Sequence, residues 1–400
     1  MAKKILYITY DGLTDPLGQS QVLPYLLALT KNGVSFHVLS FEKKVNFNAL
    51  KEVINTSIRN SPIAWHPQVY HRHPPVLSTM FDLWRMKLQA KTLHRELVFD
   101  GILCRSYIPA LAGLYLKKRF GVPFIFDMRG FWADERVEGG SWPQSNPLFR
   151  AVYWYFKRKE KLLLKHADHV VVLTNKAKYI LENRELHDNP VPRQISVVPC
   201  CVDSEFFNPD IISSDMKTET RHMLGIESSD KVLVYAGSLG TWYMMTEMLK
   251  YFSQLDRDGA QWKFLVLTKD DPQQLIKEVK QMLINRERVV VRACQRAEMP
   301  LYLSLGDLAI SFIQPVFSKQ ASSPTKLAEY FAMGLPVICN AGVGDVDQIV
   351  SDAGGGRMIS PTSEENKTKL STSADIRSYA KIHFSLSRGV EKYGHLISNI

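Results

Sequence analysis

Short apolar runs alternate with stretches in which apolar residues recur every three to four positions, along nearly the whole 400-residue chain. Runs of the first kind, at residues 5–9, 35–40, 101–104, 123–127, 169–173 and 195–198, read as strands. Stretches of the second kind, at 19–30, 108–120 and 153–166, read as helices between them. Beyond Asp203 the alternation restarts, with strands expected at 231–236, 263–268, 289–293, 308–313 and 336–340. Helices are expected at 246–255, 271–285, 298–304 and 324–333, and residues 375–399 carry a last amphipathic pattern with no strand after it. Alternating strands and helices of this kind form parallel sheets with helices on both faces, so the fold class is α/β. Two doubly wound, Rossmann-like domains are expected, at residues 1–200 and 201–380, with the closing helix of about residues 380–400 packing back on the first. Such domains leave a cleft lined by strand C-terminal ends, where open α/β sheets bind ligands.

Charge is the compositional feature that changes this picture. The net charge is +10, and residues 1–200 carry +12 of it (28 Lys and Arg against 16 Asp and Glu), leaving −2 for the rest. A basic first half suits an anionic partner: a phosphorylated substrate, an anionic membrane surface or a nucleic acid. No nucleic-acid-binding motif accompanies it, which argues against the last. Two helical stretches, 82–97 and 154–168, mix aromatic with basic residues and could rest on a membrane, although solvated helix faces often look the same. Five scattered cysteines without paired spacing fit reduced thiols in a cytoplasm, not a disulfide frame or a zinc site. The start, MAKKILYITYDG, reads as a buried first strand and not as a signal peptide, and no apolar stretch reaches the length of a membrane span. No HExxH, Walker or Gly-x-Ser-x-Gly pattern is present, and no metal is expected.

The chemistry-bearing residues cluster where strands end. After the first strand, Gly12 and Gly18 flank a loop, and Gly18-Gln19-Ser20 opens a helix whose N–H groups suit a phosphate. An ordinary turn explains those glycines equally well. After residues 123–127 comes DMRGFWADERVEGG, in which Asp127, Arg129, Trp132, Asp134 and Glu135 crowd one loop. Aromatic rings beside carboxylates and arginine suit a sugar, with a structural ion-pair network as the alternative. In the second half, Gly237-Ser238-Leu239-Gly240 follows a strand, with Trp242 and Tyr243 close behind.

The stretch SKQASSPTKLAEYFAMGLPVICN, residues 318–340, is the most informative. Ser323 suits an N-cap, Pro324 the first helical position and Gly334 a left-handed stop. Thr325 and Lys326 then share a face with Glu329. The reading is either a solvated Lys–Glu face or a nucleotide site, with phosphate at the helix start among Lys319, Ser322, Ser323, Thr325 and Lys326, and ribose on Glu329.

Taken together, these segments resemble glycosyltransferase family 4, over nearly the full length of the chain. DPLGQSQVLPYLLALTKNG is similar to the family's glycine loop and first helix, VVPCCVDSEFF to its interdomain segment, YAGSLG to its second glycine loop, and SSPTKLAEYFAMGLPVI to its carboxylate helix. The resemblance implies the two-domain GT-B fold and a retaining hexosyltransferase that takes its sugar from a nucleoside diphosphate, without cofactor or metal. The acceptor would be a glycan or lipid-linked glycan in bacterial surface-polysaccharide synthesis, handled in the cytoplasm at the inner face of the membrane. Glu329 then matches the second glutamate of the family's E-x7-E pattern, with Ala321 where the first should stand. The family's Arg and Lys after the second glycine loop are absent, and Lys319 and Lys326 are the expected substitutes. Arg129 stands near the family's acceptor-side histidine, so Arg129, Asp127 and Lys326 form the expected catalytic set. Gly18, Gln19, Gly237, Ser238, Lys319, Ser322, Ser323, Thr325, Lys326 and Glu329 form the donor set, and Arg129, Trp132, Asp134 and Glu135 the acceptor set. Two other readings stay open: a nucleotide-sugar epimerase of the same fold, and a basic scaffold that binds polyanions.

Overall fold

The computed structural model describes residues 3–183, 190–255, 261–359 and 371–400. Contacts divide the chain into two compact units, Met1–Pro199 with Leu386–Ile400, and Cys200–Ser385. Among the described residues the first holds seven strands: β1 Lys3–Thr9, β2 Val34–Glu42, β3 Ile63–Val69, β4 Gly101–Arg105, β5 Phe124–Asp127, β6 His169–Val172 and β7 Ile195–Val197. All pair in parallel in the order β3-β2-β1-β4-β5-β6-β7. Chain direction across the sheet reverses between β1 and β4, so the strand ends there form the switch point at which such sheets bind ligands. The second unit repeats the plan with β8 Lys231–Ala236, β9 Trp262–Leu267, β10 Val289–Arg292, β11 Leu308–Ser311, β12 Val337–Asn340 and β13 Gly356–Ile359. Its order is β10-β9-β8-β11-β12-β13, again all parallel, with the reversal between β8 and β11. Central strands such as β1, β4 and β8 are buried on both faces, which is why they read as unbroken apolar runs.

Several expectations change in detail. The helix expected at 19–30 is two helices, Pro16–Gln21 and Leu23–Thr30, broken at Val22. Pro24 has no N–H to donate to Ser20 and its ring crowds that carbonyl, so one continuous helix cannot form. Two elements between residues 44 and 69 had no predicted counterpart, the helix Lys44–Ile58 and edge strand β3, and the helical stretch expected at 82–97 starts earlier, as the helix Leu77–Leu97. The single pattern at 375–399 is also two helices, Ser373–His383 in the second unit and Leu386–Ser398 in the first. The Leu386 helix packs on the Leu23 helix, with Tyr25 and Tyr393 edge to face at 5.7 Å and Lys392 donating to the Val197 carbonyl at 2.8 Å.

Candidate active site

In the second unit, β8 ends at Gly237, whose φ of +147° only glycine adopts without strain. The helix Thr325–Ala332 is pinned against that strand end, because the Ala236 N–H donates to the Tyr330 hydroxyl at 2.9 Å. This brings Lys326, in the helix's first turn, over Gly237, where a Cβ would stand 2.5 Å from the lysine Nζ. The ammonium is buried between two aromatic rings, 4.2 Å from the centroid of Tyr235 and 3.7 Å from that of Tyr243, and 3.2 Å from the Tyr235 hydroxyl. Burial pulls its pKa down to about 7 against the opposing pull of the Glu329 carboxylate. Lys319, also buried, lies with Nζ 3.7 Å from the Trp242 ring centroid. Lys326, held against aromatic faces beside a glycine strand end, gives an anion a favourable place to sit.

Glu329 lies one turn further along the same helix, its side chain 13% exposed. Its carboxylate meets Arg296 at 3.3 Å, and the guanidinium stacks over Phe206 and Phe207 at 5.4 Å from each. Burial raises the Glu329 pKa, and Arg296 pulls it back. In place of the solvated Lys–Glu face, one of the two readings of this stretch, the lysine packs on tyrosines and the glutamate meets an arginine. Arg296 had no sequence signal, because it lies 33 positions from Glu329 in a separate 3₁₀ turn, Arg296–Glu298.

Among the other expected donor residues, Ser323 is not the N-cap. Pro324 holds that position, and the Ser323 hydroxyl accepts the Cys200 N–H at 3.1 Å instead. Ser322 and Thr325 are half-buried on either side of it, and Ala321 is buried. Ser238 is exposed, and its carbonyl accepts the Tyr235 hydroxyl at 2.5 Å. Gly18 and Gln19 have local structural tasks: Gly18 is buried where a Cβ would strike the Gly12 carbonyl, and the Gln19 side chain donates to the Thr14 carbonyl at 3.0 Å.

That first loop is organised by a residue the sequence reading passed over. Glu42, at the end of β2 and 2% exposed, accepts from Leu13 N at 2.8 Å, Thr14 N at 3.1 Å, and the hydroxyls of Thr14 and Ser40 at 2.5 Å each. Glu42→Ala strands all four donors in a dry site, which costs about 3 kcal/mol or more. A fall in the first unit's melting temperature of roughly 6–12 °C is the expected result, read by calorimetry.

In the first unit, four charged residues meet where β1, β4 and β5 end. Arg105 Nε lies 3.4 Å from Asp11, Arg105 Nη1 3.7 Å from Asp127 Oδ2, and Arg129 Nη1 3.9 Å from Asp127 Oδ1. Arg105 and Asp127 are buried, yet Asp127 Oδ1 makes no hydrogen bond among the described residues. Arg129 is held at a φ of +61°, an unfavourable backbone conformation for a branched-off side chain. The Asp127 Oδ1 atom is able to accept a hydroxyl group. Arg105 belonged to no sequence motif, and it joins Asp127 and Arg129 here.

The rest of the expected acceptor set is bound up in packing. Asp134 accepts from the Tyr153 hydroxyl and from Lys157, both at 2.9 Å, and Lys157 continues to buried Glu160 at 2.8 Å. Trp132 stacks on Tyr107 and meets Trp142 and Phe156 edge-on, with Arg136 over its ring. The ion-pair network weighed against a sugar site is thus what these two residues build. Glu135 is half-buried in the helix Trp132–Glu138 and donates its N–H to the Phe131 carbonyl. Among the described residues no set of three His, Cys, Asp or Glu side chains is placed to hold a metal ion.

The family model described as Glycosyltransferase Family 4 matches residues 21–206, and that described as Glycosyl transferases group 1 matches residues 216–373. Together the two matches mark the chain as a family-4-like glycosyltransferase. Both units of this GT-B glycosyltransferase are thereby accounted for, and of the three open readings the transferase is the one supported. Among solved structures, the chain resembles sucrose-phosphate synthase of Thermosynechococcus elongatus, at 15% identity and a TM-score of 0.73, over 99% of this chain and 98% of the other. It also resembles Anabaena HepE in complex with UDP and glucose, at 12% identity and 0.72, over 100% of both chains. A third is WaaG, a glycosyltransferase of lipopolysaccharide biosynthesis, at 14% identity and 0.67, over 98% and 99%. No curated protein sequence matches.

Proposed function

We propose that this glycosyltransferase moves a hexose, with retention of anomeric configuration, from a nucleoside-diphosphate sugar to a glycan or lipid-linked glycan in bacterial surface-polysaccharide synthesis. The observation that carries the reading is Lys326, an ammonium buried beside Gly237 at the end of β8, with Glu329 one helical turn away. The diphosphate lies against Lys326 and Lys319, and the ribose hydroxyls bond to Glu329. HepE, which binds UDP and glucose, and WaaG, which serves lipopolysaccharide synthesis, are relatives in fold that support this choice of donor and pathway class. The catalytic work is electrostatic. Fixed positive charge stabilises the leaving diphosphate, so neither metal nor cofactor is needed. With no side chain assigned as nucleophile, the leaving phosphate takes the acceptor proton on the same face of the sugar. Arg105, Asp127 and Arg129 hold the acceptor, their carboxylate and guanidinium groups reading its hydroxyls. The enzyme works at the inner face of the plasma membrane; among the described residues no helix is long and apolar enough to cross one.

A transfer assay with UDP-, GDP- and TDP-hexoses tests the reading. Product with the donor's anomeric configuration by NMR, formed equally with EDTA present, is expected. An inverted centre removes the front-face step, and activity abolished by EDTA removes metal independence.

A further inference from the structure

The Leu77–Leu97 helix carries a stripe of large apolar residues on its solvent side. Leu77, Met80, Phe81, Trp84 and Leu88 are 63, 62, 47, 60 and 45% exposed, while Ser78, Asp82, Met86 and Ala90 face inward. Their three- and four-residue spacing puts the exposed five on one face. The Pro147–His166 helix likewise exposes Leu148, Trp154 and Tyr155. Both helices pack on the Tyr107–Phe120 helix between them. Lys87 of the first and Lys159 of the second stand close enough that the charge of Lys159, after burial, lowers the Lys87 pKa. The two exposed faces are therefore neighbours.

Their charge is one-sided. Residues 77–97 and 147–166 hold ten Lys and Arg against three acidic residues, Asp82, Glu96 and Glu160. Asp82 is buried under Tyr10 and His71, and Glu160 under Tyr107 and Lys157, which leaves only Glu96 on the surface. Exposed tryptophan and tyrosine flanked by lysine and arginine match the interface of an anionic bilayer, where rings sit at headgroup level and ammonium groups meet lipid phosphates. A second copy of this chain would set two such cationic faces together, which like-charge repulsion opposes.

We infer that this paired helix face docks the enzyme on an anionic lipid surface. The inference deepens the reading of a lipid-linked acceptor, and position supports it. Tyr10, the residue after β1, donates to Asp82 at 2.9 Å, so the apolar half of the Leu77 helix lies beside the strand ends that carry Asp11, Arg105 and Asp127. An acceptor anchored in the bilayer is then held next to the groups assigned to it.

The test is co-sedimentation of the full chain with vesicles, without nucleotide or acceptor, so that it succeeds or fails independently of the transferase reading. Vesicles of phosphatidylcholine with about 30% phosphatidylglycerol are expected to bind about tenfold or more tightly than phosphatidylcholine alone, with binding lost at high salt. Tryptophan emission should shift to the blue on binding. The double variants Trp84→Ala/Trp154→Ala and Lys87→Glu/Lys159→Glu should each lose about tenfold or more in vesicle affinity, while an unchanged circular-dichroism spectrum and melting temperature show that they fold. Equal binding by parent and variants, or none by the parent, overturns the inference. So does a concentration-dependent dimer that Trp84→Ala/Trp154→Ala abolishes, since the occupant would then be a second copy.

Discussion

Glu329→Ala is expected to fold and to bind its sugar-nucleotide donor at least tenfold more weakly, a loss of roughly 1.4 kcal/mol or more. A carboxylate accepting two ribose hydroxyls contributes about 2–4 kcal/mol, because charged hydrogen bonds are strong and the truncated variant leaves their donors unpaired. The competing outcome is a purely structural glutamate. Its measurable partner is Arg296, 3.3 Å away and 37% exposed, which water can re-solvate once the carboxylate is gone. On that account the variant loses about 0.5–1 kcal/mol of stability and binds donor like the parent. Isothermal titration with the preferred nucleotide sugar separates the two. Unchanged affinity would end the assignment of Glu329 to the ribose.

Lys326 gives donor binding a pH dependence that an ordinary surface lysine would not. Its pKa lies at about 7 in the free protein, far below the usual 10.5, because the ammonium is buried between Tyr235 and Tyr243. A diphosphate favours the protonated form and draws the pKa back up, so binding takes up a proton. Affinity for a nucleoside-diphosphate sugar is expected to be flat below about pH 7 and to fall by about tenfold per pH unit above it, up to the pKa of the complex. The nucleoside alone, which has no phosphate to meet the lysine, should show no such slope. Lys326→Met should weaken diphosphate binding and abolish the slope together. A slope that survives in Lys326→Met would assign the titration to another group. The same shift also acts on folding. The unfolded chain keeps this lysine protonated up to about 10.5, so it binds more protons than the folded chain between about 7 and 10.5. This group's contribution to stability therefore rises with pH across that window and is constant below it.

The α/β class, the two repeats of alternating strands and helices, and the place of Glu329 on a helix before a strand were legible along the chain. These follow from short-range physics: apolar runs buried on both faces of a parallel sheet, proline at a helix start, glycine at a left-handed stop. Gly334 takes the left-handed conformation, with φ at +73°. Elements whose burial is uneven were not legible. Strand β3 lies at a sheet edge with Pro67 inside it, so it does not show the unbroken apolar run of a core strand.

Partnerships across the chain lay beyond the sequence for a different reason. Lys326 and Glu329, three positions apart, look like a surface pair in one dimension. Packing of the Thr325 helix against β8 turns the lysine toward Tyr235, 91 positions away, and the glutamate toward Arg296. Asp134 and Trp132 likewise look free to hold a sugar until the Pro147 helix covers them with Lys157, Tyr153 and Phe156. Residue types and local period determine which elements form. Which charged group meets which is decided by tertiary packing, because burial makes an unpaired charge costly and the partner that relieves it can come from anywhere in the chain.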